Sequence, residues 1–244
     1  MLSKSQIKLI NSLSQKKFRN KHNLFVAEGE KSVIELLKSN VKVKYLFGTD
    51  TFINKYSELN IEPVSPSELK KISLLKSPNQ VVGVFEIPKV DTLKNNGLTL
   101  VLDEINDPGN LGTIIRLCDW FDVSQLVCSL NTVDCFNPKV VQATMGSLSR
   151  ISIVYTDIEE FLINEIRPVY GAFLEGENIY KKIQPTDAVL VIGNEANGIS
   201  ASVEKIISNK ITIPQFGKTQ NTESLNAAMA TAILLSEFKR SLAL

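Results

Sequence analysis

Between residues 98 and 214 the chain repeats one pattern: a short, almost unbroken apolar run, then a stretch with helical spacing. "LTLVLDEI", "QLVCSL", "RISIVYT", "PVYGAFLE", "AVLVIGNE" and "KITIP" are the apolar runs. "NLGTIIRLCDWF", "NPKVVQATMGSL", "IEEFLINEI" and "SASVEKIIS" separate most of them, and one more helical stretch follows the last. Runs that do not alternate with polar residues are strands buried on both faces, and helices between such strands cover those faces. The pattern predicts a parallel α/β sheet. In "FNPKVV", Asn137 and Pro138 stand where an N-cap and a first helical residue belong. Ligands of such sheets sit beyond the carboxyl ends of the strands, so the loops that follow the strands are where chemistry is sought.

The front of the chain reads as a separate, smaller α/β module. "LFVAEGEKSVIELLKS" carries helical spacing at Val33, Leu36 and Leu37, "VKVKYLFG" alternates like a strand, "TFINKYSEL" suits a short helix and "QVVGVFEI" is a β-branched run. "EIPKVDTLKNNG", with its proline and Asn-Asn-Gly, reads as a linker. The expected division is residues 1–88, a linker over 89–97, and residues 98–244. Net charge is +1 and announces neither nucleic acid nor membrane, yet residues 1–45 hold ten Lys/Arg against three Glu. That excess, which includes Lys16, Lys17 and Arg19, is either a phosphate-facing patch or a solvated helix face.

Three loops carry polar residues at defined spacing. In "NDPGNLGTIIR", Gly109 and Gly112 bracket Asn110, and Arg116 follows six residues later among Ile114, Ile115 and Leu117, where a defined partner is expected for it. A plain strand-to-helix turn with Arg116 in solvent is the alternative. In "VLVIGNEANGIS", an apolar strand runs into Gly193, Asn194 and Glu195, with Ser200 as an expected helix cap. In "ITIPQFGKTQNTESLNAAMATAILLSEF", a strand ends in a Gly-containing loop, and a helix with small residues Ala227, Ala230 and Ala232 follows. Close core packing explains those alanines. Capping by Thr222 or Ser224 does not explain why Ser224 and Asn226 flank Leu225 there.

Several chemistries drop out. Gly-x-Gly-x-x-Gly is absent, which disfavours a dinucleotide oxidoreductase. "GKT" at 217–219 lacks the first glycine of a P-loop, because Thr212 stands there. Cys118, Cys128 and Cys135 lack CxxC spacing and His22 is the single histidine, so no metal site and no Ser-His or Cys-His pair is expected. No apolar stretch is long enough for a bilayer and the N-terminus has no signal-peptide core, so a soluble, cytoplasmic protein is expected.

Together the three loops closely resemble the motifs of the SpoU (TrmH-like) family of RNA ribose 2′-O-methyltransferases. The first has Asn and, six residues on, Arg, here Asn110 and Arg116. The second is a strand ending in Gly-x-Glu, here Gly193 and Glu195. The third is Ile-Pro, Gly and Ser-Leu-Asn before a small-residue helix, here Ile213, Pro214, Gly217, Ser224, Leu225 and Asn226. The front module, with "KKFRNKHNLFVAEGEKSVIE", is similar to the family's L30e/L7Ae-like substrate-binding domain. The loop 215–223 is a few residues longer than the family's usual one.

The resemblance implies a trefoil-knotted parallel-sheet methyltransferase domain behind an RNA-binding domain. It also implies S-adenosylmethionine as cofactor, RNA as substrate (ribosomal in preference to transfer RNA) and a homodimer. It assigns catalysis to Arg116, Asn110, Glu195, Ser224 and Asn226, and cofactor binding to Gly193, Asn194, Ile213, Pro214, Gly217 and Leu225. Arg116 is the family's candidate base, with a phosphate clamp as the other role open to it. A non-catalytic RNA-binding or ribosome-assembly protein on the same fold is the competing reading.

Overall fold

The computed structural model describes the chain apart from Met1, Lys76, Val90, Asp91, residues 218–223 and residues 243–244. The chain forms two compact units. One comprises residues 1–89 together with 134–150, the other residues 90–133 together with 151–244.

In the first unit, strands β1 (Leu24–Glu28), β2 (Val43–Gly48), β3 (Glu62–Pro63) and β4 (Val81–Glu86) form a sheet ordered β1-β4-β2-β3. β4 is antiparallel to β1 and β2, and the short β3 is parallel to β2. The two-residue period of a strand divides its side chains between two cores. Leu24, Val26, Val82 and Val84 meet Ile10, Leu13, Leu69 and Ile72 in one; Phe25, Ala27, Val81 and Phe85 meet Val33, Leu36 and Phe52 in the other. "LFVAE" is a strand buried at all five residues, and the helix starts only at Glu30. Gly29, at φ +87°, makes the break in a conformation that side chains disfavour. Val141 fills the second core, so helix Pro138–Thr144 packs within this unit. That helix starts as expected, with the Asn137 side chain accepting from the Lys139 N–H at 3.0 Å and Pro138 as first residue.

The second unit is built on β5 (Leu98–Leu102), β6 (Gln125–Ser129), β7 (Ile153–Thr156), β8 (Val169–Asn178), β9 (Ala188–Ile192) and β10 (Asn209–Thr212). Their order is β10-β8-β9-β5-β6-β7, and every neighbouring pair is parallel. β5, β6 and β9 are buried along their whole length, as their unbroken apolar runs require. The chain builds from β5 outward through β6 to β7, then lays β9 against the opposite side of β5. Strand order reverses there, the position at which open α/β sheets bind ligands. Leu102 lies opposite Ile192, so the loops that leave β5 and β9 emerge side by side. Helices Pro108–Trp120 and Ala227–Lys239 pack on each other, with Gly112, Ala227, Ala228 and Thr231 among their buried residues. Within the expected linker, the Lys94 backbone is held at both N–H and C=O by the Gln125 side chain, at 2.9 and 2.7 Å. Among the described residues no helix is long and apolar enough to cross a membrane.

Candidate active site

Asp107 and Pro108 set the first loop. The Asp107 carboxylate accepts the Asn110 N–H at 2.8 Å as N-cap, and Pro108 occupies the first helical position, where its missing N–H costs nothing. Asn110 is thereby fixed in the first turn of the helix that leaves β5.

The loop after β9 is held more tightly. Asn194 accepts the N–H groups of Ala196 and Asn197 at 2.8 and 3.1 Å, and its side chain donates to the Glu104 carbonyl at 2.7 Å. Main-chain bonds of 2.9 Å in both directions join Asn194 to Gly198. A Cβ at Gly193 would lie 2.2 Å from the carbonyl carbon of Gly198 and 2.3 Å from the Ile199 nitrogen. Only glycine leaves room for the turn to fold back. Ser200 occupies the N-cap position of the following helix, but its side chain makes no capping bond. The Asp103 carboxylate instead takes the Ser200 N–H, at 2.7 Å.

The third loop delivers Asn226, which, rather than Thr222 or Ser224, caps the helix Ala227–Lys239. Thr222 lies outside the described residues. The Asn226 Oδ1 accepts the N–H groups of Ala228 and Met229 at 3.0 and 3.3 Å. Its amide nitrogen is therefore forced outward, and it donates to the Asn110 Oδ1 at 2.9 Å. The Asn110 nitrogen in turn donates to the Glu195 Oε1 at 2.5 Å. Backbone donors at one end and a carboxylate at the other leave one amide orientation for each Asn. Residues 110, 195 and 226 thus form a single directed chain across the three loops.

Residues 97–236 match the family described as SpoU rRNA Methylase, and residues 4–83 match the MRM3-like substrate binding domain. The chain belongs to the SpoU methylase family. The 23S rRNA (guanosine(2553)-2′-O)-methyltransferase RlmP of Bacillus subtilis is 32% identical to it, over 94% of each protein. A TrmH-family structure from Porphyromonas gingivalis superposes with a TM-score of 0.89, at 39% identity and 99% coverage of both chains. The AdoMet-bound rRNA methyltransferase of Sinorhizobium meliloti does so at 0.86, with 30% identity over 99% of this chain and 97% of that one.

The other SpoU-motif residues are not part of the directed chain. Arg116 is exposed and makes no hydrogen bond or ion pair among the described residues, which corrects the expectation of a defined partner. Six residues of helix separate it from Asn110 by about 9 Å along the axis and turn it to another face. Ser224 is exposed, Leu225 is 49% exposed, and Ile213 and Pro214 are half-buried. Gly217 is exposed, with nothing within 4 Å of where a Cβ would stand. Most of the extra length of loop 215–223 lies outside the described residues.

The basic front patch needs one correction. Lys16 and Lys17 are exposed, with Lys17 over the Phe18 ring. Arg19 is 2% exposed and faces inward. Its guanidinium pairs with the Asp134 carboxylate through Nε, at 3.0 Å, and Nη2, and donates to the carbonyls of Leu13 and Ser14 at 2.9 and 3.0 Å. Enclosed, with four of its five N–H donors committed within the fold, it is not placed to meet a phosphate.

Asp103, Glu104 and Asp107 also shape the site, outside the three motifs. Asp107-Pro108 is a legible helix start. Glu104 has no such signal: it sits at φ +58° with its N–H on the Ser129 hydroxyl and its carboxylate on the Asn131 amide. Burial pushes the Cys118 thiol up, so this cysteine, on the same helix as Asn110, is no nucleophile.

Proposed function

We propose that this chain transfers a methyl group from S-adenosylmethionine to a ribose 2′-OH of ribosomal RNA. The observation that carries the reading is the directed chain Asn226–Asn110–Glu195, which ties the three SpoU loops together beside the reversal of strand order.

The residues present fit the cofactor. An adenosine and an aliphatic amino acid need apolar surface and main-chain partners rather than a dense set of charged ligands. Leu225, Ile213 and Pro214 offer the first, and the main chain of Gly193, outside the Asn194–Gly198 bonds, offers the second. When bound, S-adenosylmethionine supplies a methyl group on a good leaving group. What remains for the protein is to align the hydroxyl and provide for its proton. Asn110 and Asn226 hold the Glu195 carboxylate still, so that its second oxygen accepts from the nucleotide. An arginine keeps its charge in proteins and presents parallel N–H donors. Exposed and unpaired among the described residues, Arg116 clamps the phosphate beside the reacting ribose. Lys16 and Lys17 add charge along the RNA. The enzyme acts as a homodimer, for which exposed Trp120 and Met229, on the two packed helices, offer apolar surface.

The test is transfer of labelled methyl to unmodified ribosomal RNA, with the product mapped. The first position to examine is the counterpart of the guanosine for which the Bacillus subtilis relative is named. Arg116→Ala is expected to abolish transfer and leave cofactor binding near wild type. Wild-type turnover by that variant sinks the role given to Arg116. RNA that gains no methyl, despite cofactor binding, favours a non-catalytic RNA-binding protein.

A further inference from the structure

Five aromatic side chains, Phe25, Phe47, Phe52, Phe85 and Phe238, are fully enclosed. Phe216 is 82% exposed and Tyr180 is 39% exposed. Their rings lie 6.5 Å apart at 30°, in the stacked range. Phe216 stands between Pro214 and Gly217 in the loop after β10. Tyr180 lies just beyond β8, the strand paired with β10. The pair therefore sits at the carboxyl edge of the sheet, with Phe216 on a loop that the proposed reaction already uses, and the reaction as described gives it no task.

The charge next to it is selective. Lys182 pairs with Glu177 at 2.7 Å, and Lys210 pairs with Glu204. Lys181, adjacent to Tyr180, is exposed and makes no hydrogen bond or ion pair among the described residues. Exposed aromatic rings, with an unneutralised lysine next to one of them in sequence, match a ligand with flat faces and negative charge, which is single-stranded nucleic acid. The reaction creates a need for such a surface. A ribose 2′-OH is brought into line with a bound methyl donor most readily when its nucleotide leaves the RNA stack, and the lost base stacking then has to be replaced.

We propose that Tyr180 and Phe216 form a stacking platform for an unpaired RNA base next to the reacting ribose, with Lys181 on a neighbouring phosphate. This rests on the reading of the chain as an RNA methyltransferase. It adds two positioning aromatics that the three motifs do not specify, Tyr180 outside them and Phe216 between Pro214 and Gly217 of the third.

The experiment uses the full chain and unmodified, in vitro transcribed large-subunit ribosomal RNA. It compares wild type with Phe216→Ala, Tyr180→Ala, the double variant and Phe216→Trp. Phe216→Ala is expected to raise KM for RNA about tenfold, in the range of one base–aromatic stack. S-adenosylmethionine affinity, measured by calorimetry, stays unchanged, and Phe216→Trp restores KM. Lys181→Ala lowers the salt slope of binding to a single-stranded RNA oligonucleotide by about 0.7. That oligonucleotide is titrated with every variant, so an inactive preparation still reports on the platform. A double variant with wild-type KM and wild-type oligonucleotide affinity overturns the proposal. Loss of cofactor affinity assigns the rings to the methyl donor instead, and a fall in molar mass by light scattering assigns them to a subunit interface; either overturns it too. Wild type that binds RNA through the platform yet transfers no methyl removes the enzymatic reading alone.

Discussion

The loops after β9 and β10 look alike in sequence: each follows an apolar strand, and each carries a glycine assigned to cofactor binding. In the structure they are opposites. At Gly193 a Cβ would come within 2.2 Å of main-chain atoms, whereas at Gly217 it would meet nothing within 4 Å. The first loop is closed on itself by Asn194 and Gly198; the second leaves Phe216 and Gly217 in solvent. One glycine exists to let backbone approach backbone. The other has open space where its Cβ would stand, so packing does not dictate its identity. The same residue type in the same kind of motif therefore marks a rigid floor in one place and an open rim in the other.

The largest test of that contrast is Gly193→Ala. Overpacking of this kind costs about 1–3 kcal/mol, and for a chain of this size each kcal/mol lowers Tm by about 2–4 °C. Methyl transfer is expected to fall below detection, since the Asn194 turn and Glu195 move with the backbone. Wild-type melting and wild-type turnover in this variant would break the comparison.

Next in size is Asn110→Asp, which sets a second carboxylate against Glu195 where a 2.5 Å hydrogen bond now stands. A displacement of about 1 Å at such a site costs about 10²-fold in rate. Two carboxylates that share a site raise the pKa of one of them, so the variant regains activity as pH falls. A pH profile parallel to wild type argues against the contact.

Asn226→Ala removes a helix cap that also anchors the chain of amides. A stability loss of about 1 kcal/mol is expected in denaturant melts, with a drop in turnover that exceeds what stability explains. An unchanged midpoint would mean that Asn226 is not the cap. The smallest effect belongs to Gly217→Ala: stability within about 0.5 kcal/mol of wild type. A large loss there would mean that the rim is as constrained as the floor.

The parallel sheet and its helices were legible because burial on both faces leaves unbroken apolar runs, and such runs survive in a one-dimensional reading. The start at Asn137-Pro138 was legible because capping is local. Side-chain partners across the fold were not. Asn110 and Asn226 lie 116 residues apart and Asn110 and Glu195 lie 85 apart, so only the folded chain shows that the cap of one helix orients the amide of another. The helical spacing at Val33, Leu36 and Leu37 marks the helix Glu30–Leu37, whereas "LFVAE" carries no period of its own and runs as a strand into that helix with one glycine between. Arg19 differs from Lys16 and Lys17 in the direction it faces, which a sum of charges does not record. On a helix of seven residues, two or three positions decide whether a cation meets solvent or the core.

The Arg19–Asp134 pair also bears on how this protein can be divided. The carboxylate arrives 115 residues after the guanidinium, within a segment that supplies Val141 to the same unit. A fragment ending at residue 89 would keep a cation built for enclosure without its counter-ion, and breaking a buried pair in that way costs about 3–5 kcal/mol. The two units are thus not beads that recombination can exchange by a single cut. A graft of the front unit onto another methyltransferase has to carry the stretch around Asp134 with it, and a lineage that changes one has to keep the other in step.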